Sequence, residues 1–432
     1  MTEIQSLKGF YDRYPEEWES WKKLIEVVDE TAEEFGFRQI DTPNLEKADL
    51  YRVKSGDELM DQMYSFEDKG NREVSLTPEQ TPTRARLVQQ RKDLKTPIKW
   101  YDTSKRWRYE NVQKGRDREF FQGDFDIFGI ESVEADAEII AAAAKIYEKL
   151  DLMDRVRFQL NDRNLLESML EAHGVENTEE VMQVIDDKEK MSTEEFLEEL
   201  EETGVDAGKA EKIYDLTGIS GLISEQIGEL REKAPEEAQE SVDRMENLSK
   251  ALESYDVADQ CRLDLSIVRG LAYYTGLVFE AFDDEGDLRA LFGGGRYDEL
   301  VGIFGDQEVP AVGFAFGYST TVELLKKEDR WPLKEVETDV YVLSVSENVR
   351  DTALEYATTL REKGLSVETD LSGRGFGEQL GYADSINAER VLIVGERDLE
   401  NDQVTMKHMD SGKEEEIGKD EVIEHLESER LL

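Results

Sequence analysis

The sequence predicts an α+β fold that carries a helical insertion and ends in a small α/β domain. Two strand-like runs at residues 99–107 and 119–128 flank a polar loop, which indicates a long antiparallel hairpin. Residues 161–259 are rich in Glu, Asp and Lys, with apolar residues at helical spacing. Strands alternate with helices over residues 338–432, which is typical of an α/β domain with a partly parallel sheet.

The first elements of the chain follow from apolar spacing and from breaker residues. Apolar side chains recur at helical spacing over residues 18–35, and Gly36 should end that helix. A strand is expected over residues 37–42, ending at Pro43.

The later elements follow from the same signals. Glycine-rich, strand-like sequence over residues 264–317 precedes a predicted helix at 321–327. The tail then alternates, with strands predicted at 340–343, 365–368 and 391–395 and helices at 349–363 and 377–387.

Shifts in composition place the predicted domain boundaries. Residues 1–160 and 260–327 should form one core domain, interrupted by the insertion at 161–259. A charged linker, 328–337, leads to the C-terminal domain at 338–432.

Composition indicates a folded, cytoplasmic protein. Hydrophobic residues make up 38% of the chain and aromatic residues 9%, which excludes a disordered acidic protein. No apolar run approaches the ~18 residues of a membrane span, and a secretion signal is not expected. A single cysteine, Cys261, excludes an internal disulfide, and with 3 His it leaves little for a zinc site.

The formal net charge of −48 admits two interpretations. One is a generally acidic surface that favours solubility. The other is adaptation to high salt, where a Debye length of ~3 Å at 1 M weakens self-repulsion. We favour the second because the acidic residues are spread through every region and form no tail. Under either interpretation, local basic clusters decide whether the protein binds RNA.

The hairpin carries polar side chains suited to a ligand with phosphate, amine and carboxylate groups. Alternation places them on one face of each strand: Arg106, Arg108 and Glu110 on the first, and Gln122, Asp124 and Asp126 on the second. The loop adds the cations Lys114, Arg116 and Arg118. The alternative is a solvated hairpin with surface ion pairs.

A second candidate segment is LDLSIVRGLAYYTGLVFE at residues 263–280. Arg269 leaves an apolar strand, where a guanidinium can bind a carboxylate or phosphate, and Gly270 allows close approach. Taken alone, Tyr273 and Tyr274 are more typical of core strand aromatics than of a ligand pocket.

A third candidate is the glycine triplet in LFGGGRYDELVGIFG, where Gly293, Gly294 and Gly295 would permit tight packing of a nucleobase or amino acid against the backbone. Taken alone, the triplet is a weak signal, for which a plain turn is the default interpretation. The chain contains neither a G-x-G-x-x-G fingerprint at this point nor a P-loop, so neither a dinucleotide site nor Walker-type ATP binding is expected.

These segments resemble the signatures of class II aminoacyl-tRNA synthetases, the histidyl-tRNA synthetase family in particular. Motif 2 of that family resembles GRDREFFQGDFDIFG, and its two histidine-specific signatures resemble IVRGLAYY and LFGGGRYDELVGIFG. Its amino-acid-binding segment resembles LTPEQTP. LKGFYDRYP resembles its N-terminal start, and Pro43 falls at the dimer-interface proline of motif 1. The resemblance covers nearly the whole chain and is weakest over the insertion.

The resemblance implies a catalytic α+β domain built on an antiparallel sheet, followed by an α/β anticodon-binding domain. It also implies roles in ATP binding. Arg108 would hold the α-phosphate, Arg269 would bridge that phosphate and the substrate carboxylate, Glu110 would bind ATP, and Arg116 would reach the nucleotide or the tRNA acceptor end. Arg108 and Arg269 are therefore the predicted catalytic residues.

For histidine, the resemblance implies a pocket built from several segments. Its members would be Glu79 and Thr81 for the ammonium, Gln122 and Asp126 for the substrate, Tyr274 for the imidazole, and Tyr273 and Arg269 beside them. Asp126 stands where many members have Glu, and Ala272 where many have Asp.

One departure concerns motif 3. AVGFAFGYSTTVELL places Thr320 near the position where the family carries an arginine that contacts the γ-phosphate. Three explanations are open. Another cation, such as Arg116 or Arg296, replaces the arginine; Mg²⁺ takes over more of its contribution at the γ-phosphate; or activity is reduced.

The predicted function is therefore histidine activation with ATP and Mg²⁺, followed by transfer to tRNA(His), in a homodimer without membrane attachment. One alternative is a catalytically silent paralogue that binds histidine or regulates a partner enzyme. The C-terminal domain disfavours it, because such regulators generally lack that module. A generic acidic α/β binding protein would leave the arginine-bearing signatures unexplained.

Overall fold

A computed structural model describes residues 4–52, 57–269, 273–286, 288–333 and 338–430. The chain divides into two compact units, Met1–Asp12 with Trp21–Trp331, and Arg13–Ser20 with Pro332–Leu432. The first unit contains both the predicted core and the predicted insertion, so the finer boundaries between them stay a prediction.

The helices predicted at 18–35, 321–327, 349–363 and 377–387 lie close to those positions. In chain order, the described helices are α1 (Pro15–Glu34), α2 (Asp49–Arg52), α3 (Asp57–Gln62), α4 (Thr81–Gln90), α5 (Val133–Lys149), α6 (Arg163–Ala172), α7 (Thr178–Asp186), α8 (Thr193–Glu202), α9 (Ala207–Leu216), α10 (Ile223–Lys233), α11 (Gln239–Ser254), α12 (Tyr318–Lys327), α13 (Arg350–Glu362), α14 (Phe376–Ser385), α15 (Glu396–Glu400) and α16 (Val422–Arg430).

The strands of the first unit are β1 (Arg38–Gln39), β2 (Leu45–Lys47), β3 (Ser65–Glu67), β4 (Glu73–Leu76), β5 (Ile98–Trp107), β6 (Glu119–Phe128), β7 (Val156–Asp162), β8 (Ser220–Leu222), β9 (Cys261–Asp264), β10 (Leu277–Asp283), β11 (Phe292–Arg296) and β12 (Ala311–Gly317). Those of the second are β13 (Thr338–Ser344), β14 (Val367–Thr369), β15 (Ala388–Val394), β16 (Gln403–His408) and β17 (Glu414–Gly418).

The large sheet of the first unit has the order β1-β5-β6-β12-β11-β10-β7-β9-β8 over the described residues. Its central strands, from β5 to β7, are antiparallel, whereas β1 and β9 pair in parallel with their neighbours. The predicted α+β fold on an antiparallel sheet is confirmed, including the hairpin of β5 and β6. Strands β2, β4 and β3 form a small separate sheet.

One face of the large sheet is apolar and packs against helix α5. Phe125 stacks on Phe314 with ring centroids 4.6 Å apart, and Tyr147 of α5 stacks on Phe292 at 6.0 Å. Because strand side chains alternate, this packing directs the even-numbered polar residues of β6 to the opposite face. That opposite face carries the candidate site.

The glycine triplet lies within β11, so the turn interpretation is wrong. Gly294 pairs with Phe279 on one side and Phe314 on the other. A Cβ on Gly294 would lie 2.7 Å from side-chain atoms of both, which leaves no room for a larger residue.

The segment between β7 and β9 is helical, as expected, except for β8. This short strand pairs with β9 and extends the edge of the large sheet. Its sequence, Ser-Gly-Leu, carries too few alternating residues to signal a strand.

The second unit is an α/β domain with a partly parallel sheet, as predicted. The strand order is β14-β13-β15-β16-β17 among the described residues, parallel up to β15 and antiparallel beyond it. Val340, Val342 and Leu392 are buried against helix α13 and its neighbours. Among the described helices, none combines the length and the apolarity that crossing a membrane requires.

Candidate active site

A cavity of about 1060 Å³ opens on the polar face of the large sheet. All ten residues predicted from the sequence line it: Glu79, Thr81, Arg108, Glu110, Arg116, Gln122, Asp126, Arg269, Tyr273 and Tyr274. They come from the hairpin, the start of α4 and the segment before β10. Folding therefore brings together residues that are up to almost 200 positions apart.

Arg108 is held at the end of β5 by its backbone and its side chain. Its N–H donates to the carbonyl of Arg118 at 3.0 Å, and its Nε donates to the carbonyl of Pro78 at 3.0 Å. The guanidinium lies over the ring of Phe120 at 5.5 Å. Burial lowers the pKa of Arg108, but an arginine starts so far above neutrality that it stays charged.

Arg269 has a left-handed backbone with φ 62°, which is uncommon for a residue with a Cβ. The carboxylate of Asp186, at the end of α7, accepts a hydrogen bond from its backbone N–H at 2.7 Å. The guanidinium lies 3.2 Å from Glu280 and over the ring of Tyr274 at 5.6 Å. Gly293 makes room for it, because a Cβ there would overlap the guanidinium.

The aromatic wall of the cavity is built by three tyrosines. Tyr273 donates its hydroxyl to Glu79 at 3.0 Å, and Tyr297 donates its hydroxyl to Asp126. Tyr274 is buried against Gly295, where a Cβ would approach its ring to 2.8 Å. Burial raises the pKa of each tyrosine, so all three remain neutral hydrogen-bond donors.

A buried charge network supports the floor of the cavity. Arg84, from α4, binds both Asp102 and Asp126 and is 0% exposed. Arg106 lies 2.9 Å from Asp102 and 2.6 Å from Asp124. Two guanidinium groups thus serve three carboxylates, and every member has an opposite charge beside it.

The network changes the predicted role of Arg106. The alternation of β5 places Arg106 on the expected face, but its side chain is 0% exposed and is not among the residues that line the cavity. It positions Asp124, which accepts a hydrogen bond from Gln122 at 2.8 Å. Arg106 is therefore a supporting residue and not a ligand-binding one.

The network also sets the charge of its carboxylates. Burial raises the pKa of Asp126, and Arg84 only partly offsets this effect. For Asp102, burial acts in the same direction, but Arg84 and Arg106 together outweigh it and lower the pKa. The difference arises because Asp102 has two cations beside it, whereas Asp126 has one.

The outer end of the cavity lies at the hairpin loop. Arg116 forms an ion pair with Glu110, and Gly115 has a left-handed backbone. A Cβ on Gly115 would lie 3.1 Å from the methyl group of Thr320. Thr320 donates its hydroxyl to the carbonyl of Leu291 at 2.6 Å.

Of the two cations suggested for the motif 3 position, Arg296 is excluded by its contacts. Its guanidinium lies 2.5 Å from Asp136 and donates to the carbonyl of Ile130 at 3.0 Å. It is not one of the residues that line the cavity, whereas Arg116 is.

The family model for histidyl-tRNA synthetase matches residues 9–320 of the chain. The chain belongs to the histidyl-tRNA synthetase family. A model for the anticodon-binding domain matches residues 339–429.

Curated relatives agree with this membership. The chain is 43% identical over 413 residues to "Histidine--tRNA ligase" of Haloarcula marismortui, covering 95% of this chain and 94% of that protein. It is 39% identical over 432 residues to the protein of the same name from Thermoplasma volcanium, covering 98% and 99%.

A solved structure shows the same fold. The crystal structure of histidyl-tRNA synthetase from Nostoc sp. PCC 7120 covers 99% of this chain and 100% of its own, with a TM-score of 0.85 at 24% identity.

Three residues of the site were missed by the sequence interpretation. Arg84 and Asp186 act through partners distant in sequence, Asp126 and Arg269 respectively, and no local pattern reveals such pairs. Tyr297 belongs to the glycine-rich signature already noted, which named the three glycines but not this tyrosine.

Proposed function

We propose that this protein is a histidine–tRNA ligase, which activates histidine with ATP and transfers it to tRNA(His). The observation that carries the proposal is that Arg108 and Arg269 line the same cavity. Two guanidinium groups on one cavity suit the stabilisation of a reacting phosphate. The roles below combine that placement with family membership.

Histidine would bind at the inner end of the cavity. Glu79, which holds Tyr273, and Thr81 offer oxygen acceptors for the substrate ammonium. Asp126 offers an acceptor for an imidazole N–H, and Tyr274 offers a hydroxyl to the other ring nitrogen. An apolar amino acid would leave these buried polar groups unpaired, which provides the specificity.

In the first step, a carboxylate oxygen of histidine attacks the α-phosphorus of ATP. The bond from that phosphorus to the bridging oxygen of the β-phosphate breaks, so pyrophosphate leaves and histidyl-adenylate forms. Arg108 and Arg269 hold the oxygens of the α-phosphate while negative charge grows on them. Positioning and charge neutralisation carry this step, and no side chain acts as a nucleophile.

In the second step, a hydroxyl of the terminal ribose of tRNA attacks the carbonyl carbon of the adenylate, and AMP leaves. The match to an anticodon-binding domain supports tRNA as the partner. We further propose a cytoplasmic homodimer, for which Pro43 at the motif 1 position is the support.

Mg²⁺ fits the residues present only as a companion of the substrate. The described residues contain no group of three or more side chains that could hold a metal ion by themselves. Glu110 lines the cavity, and one carboxylate plus phosphate oxygens is a usual set of Mg²⁺ ligands. When bound, Mg²⁺ would neutralise charge on the departing pyrophosphate.

The test is histidine-dependent exchange of labelled pyrophosphate into ATP. The wild-type protein should catalyse exchange with histidine and not with other amino acids. Arg269→Ala should abolish the exchange. Arg262→Ala is the control and should retain the exchange, because Arg262 lies on β9 and is not among the residues that line the cavity. Near-normal exchange by Arg269→Ala would refute the site assignment.

The absence of an arginine at Thr320 favours a second candidate, a silent paralogue that binds histidine and regulates another enzyme. Aminoacylation of tRNA(His) separates the two. A ligase charges the tRNA, whereas the paralogue binds histidine without exchange or charging.

A further inference from the structure

The outer end of the cavity joins three segments around one groove. They are the hairpin loop, the start of α12, and the residues that precede β11. Arg289 donates to the side-chain oxygen of Gln113 at 2.6 Å, which links the third segment to the first. Thr320 donates to the carbonyl of Leu291 at 2.6 Å, which links the third segment to the second. Arg289 lies two residues before Leu291 and lines the cavity.

Thr320 itself cannot bind a phosphate strongly. Its hydroxyl is directed to the carbonyls of Leu291 and Gly317, at 2.6 and 3.0 Å, and it carries no charge. A triphosphate that reaches this end of the cavity therefore needs a cation from a neighbouring segment.

The other cations of the cavity are already engaged. Arg116 is paired with Glu110, and Lys190 with Asp187. Arg157 donates to the carbonyl of Asp284 at 2.8 Å. Arg108 and Arg269 lie deeper, at the proposed α-phosphate site.

Arg289 differs from these cations in the partner that it holds. Its side chain is exposed and, within the described part of the chain, it has no salt bridge. Its partner is the neutral amide of Gln113. A phosphate oxygen can replace that amide oxygen without breaking an ion pair, and the new bond would be the stronger one because both of its partners are charged.

We propose that Arg289 binds the terminal phosphate of ATP, in the place left without a cation by Thr320. The inference rests on the proposed function, because it assigns the orientation of ATP in the same cavity. On this view Arg289 and Arg269 hold the two ends of the triphosphate. Arg289 is then a substrate-binding residue supplied by the segment before β11.

The experiment compares the affinities for ATP and ADP, measured by calorimetry with MgCl₂, in the wild type and in Arg289→Gln. ADP lacks the terminal phosphate, so only a residue that contacts this phosphate changes the ratio of the two affinities. Arg289→Gln should weaken ATP binding roughly tenfold and ADP binding little, because one charge-assisted hydrogen bond is lost. Arg289→Lys should recover part of the ratio.

The matched control is Arg157→Gln. It removes a cation from the same cavity and disturbs the contact with Asp284, which lies five residues before Arg289 in the chain, but it should leave the ratio unchanged. An unchanged ratio in Arg289→Gln, or an equal loss for ATP and ADP, would overturn the inference. Failure of the proposed function is recognised separately, because the wild type would then show no histidine-dependent exchange.

Discussion

Replacing Arg84 by Met should destabilise the first unit strongly. The guanidinium of Arg84 is 0% exposed, contacts Asp102 and Asp126, and donates to the carbonyl of Asp124 at 3.1 Å. Methionine has a similar length, so the change removes the charge and little volume. After it, Asp102 still has Arg106 at 2.9 Å, but Asp126 keeps only the hydroxyl of Tyr297.

The expected loss in the free energy of unfolding is about 3–5 kcal/mol, the usual result of removing one partner from a buried ion pair. The loss should also depend on pH. Burial already raises the pKa of Asp126, and without Arg84 it rises further. A raised pKa in the folded state means that folding favours the protonated acid. The loss should therefore be larger at pH 8 than at pH 5, where a proton can neutralise Asp126.

The assay is urea unfolding at constant KCl, followed by tryptophan fluorescence, since Trp21, Trp100, Trp107 and Trp331 all lie in the first unit. Arg86→Met is the control on the same helix, because the pair of Arg86 with Glu46 is partly exposed and should matter less. A loss below about 1 kcal/mol for Arg84→Met, or one no larger than the control, would refute the role of the network.

The position of Arg269, a buried carboxyl group and the net charge can each be tested by one further experiment. Gly293→Ala should reduce the kcat/KM of histidine-dependent exchange at least about 100-fold, because the added Cβ displaces Arg269. The circular dichroism spectrum should stay unchanged, and activity within about tenfold of wild type would contradict the prediction. Burial raises the pKa of Asp162 to about 6, so folding favours the protonated acid. The free energy of unfolding of the wild type, minus that of Asp162→Asn, should therefore rise as the pH falls from 7.5 to 5. A difference that does not change with pH would contradict the raised pKa. If the charge of −48 is an adaptation to salt, the thermal midpoint should rise from low to multimolar KCl, and a midpoint independent of salt would exclude that explanation.

The hairpin illustrates what could be predicted from the sequence. Its two strands alternate over ten residues each, and its loop is polar and contains glycine, so extent and facing follow from local rules. Depth does not follow from these rules. Arg106 and Arg108, which directly follows β5, were predicted to share a face, yet the first is enclosed by carboxylates and the second lines the cavity.

The remaining parts of the site depend on contacts between segments far apart in the chain. Asp186 lies in the helical insertion, where acidic residues are abundant and none is distinguished by its neighbours. It matters because the fold places its carboxylate against the backbone N–H of Arg269. Arg84 resembles any helical arginine until Asp102 and Asp126 are seen to enclose it. Sequence resemblance located the pocket, and the structure identified what supports it.

The most direct test of the proposed chemistry is a crystal structure of the protein with a non-hydrolysable analogue of histidyl-adenylate. The guanidinium groups of Arg108 and Arg269 should both lie within hydrogen-bond distance of the group that replaces the phosphate, with the imidazole against Tyr274 and Asp126. If the analogue bound with only one of the two arginines near that group, or with its imidazole outside this pocket, the central claim would be wrong.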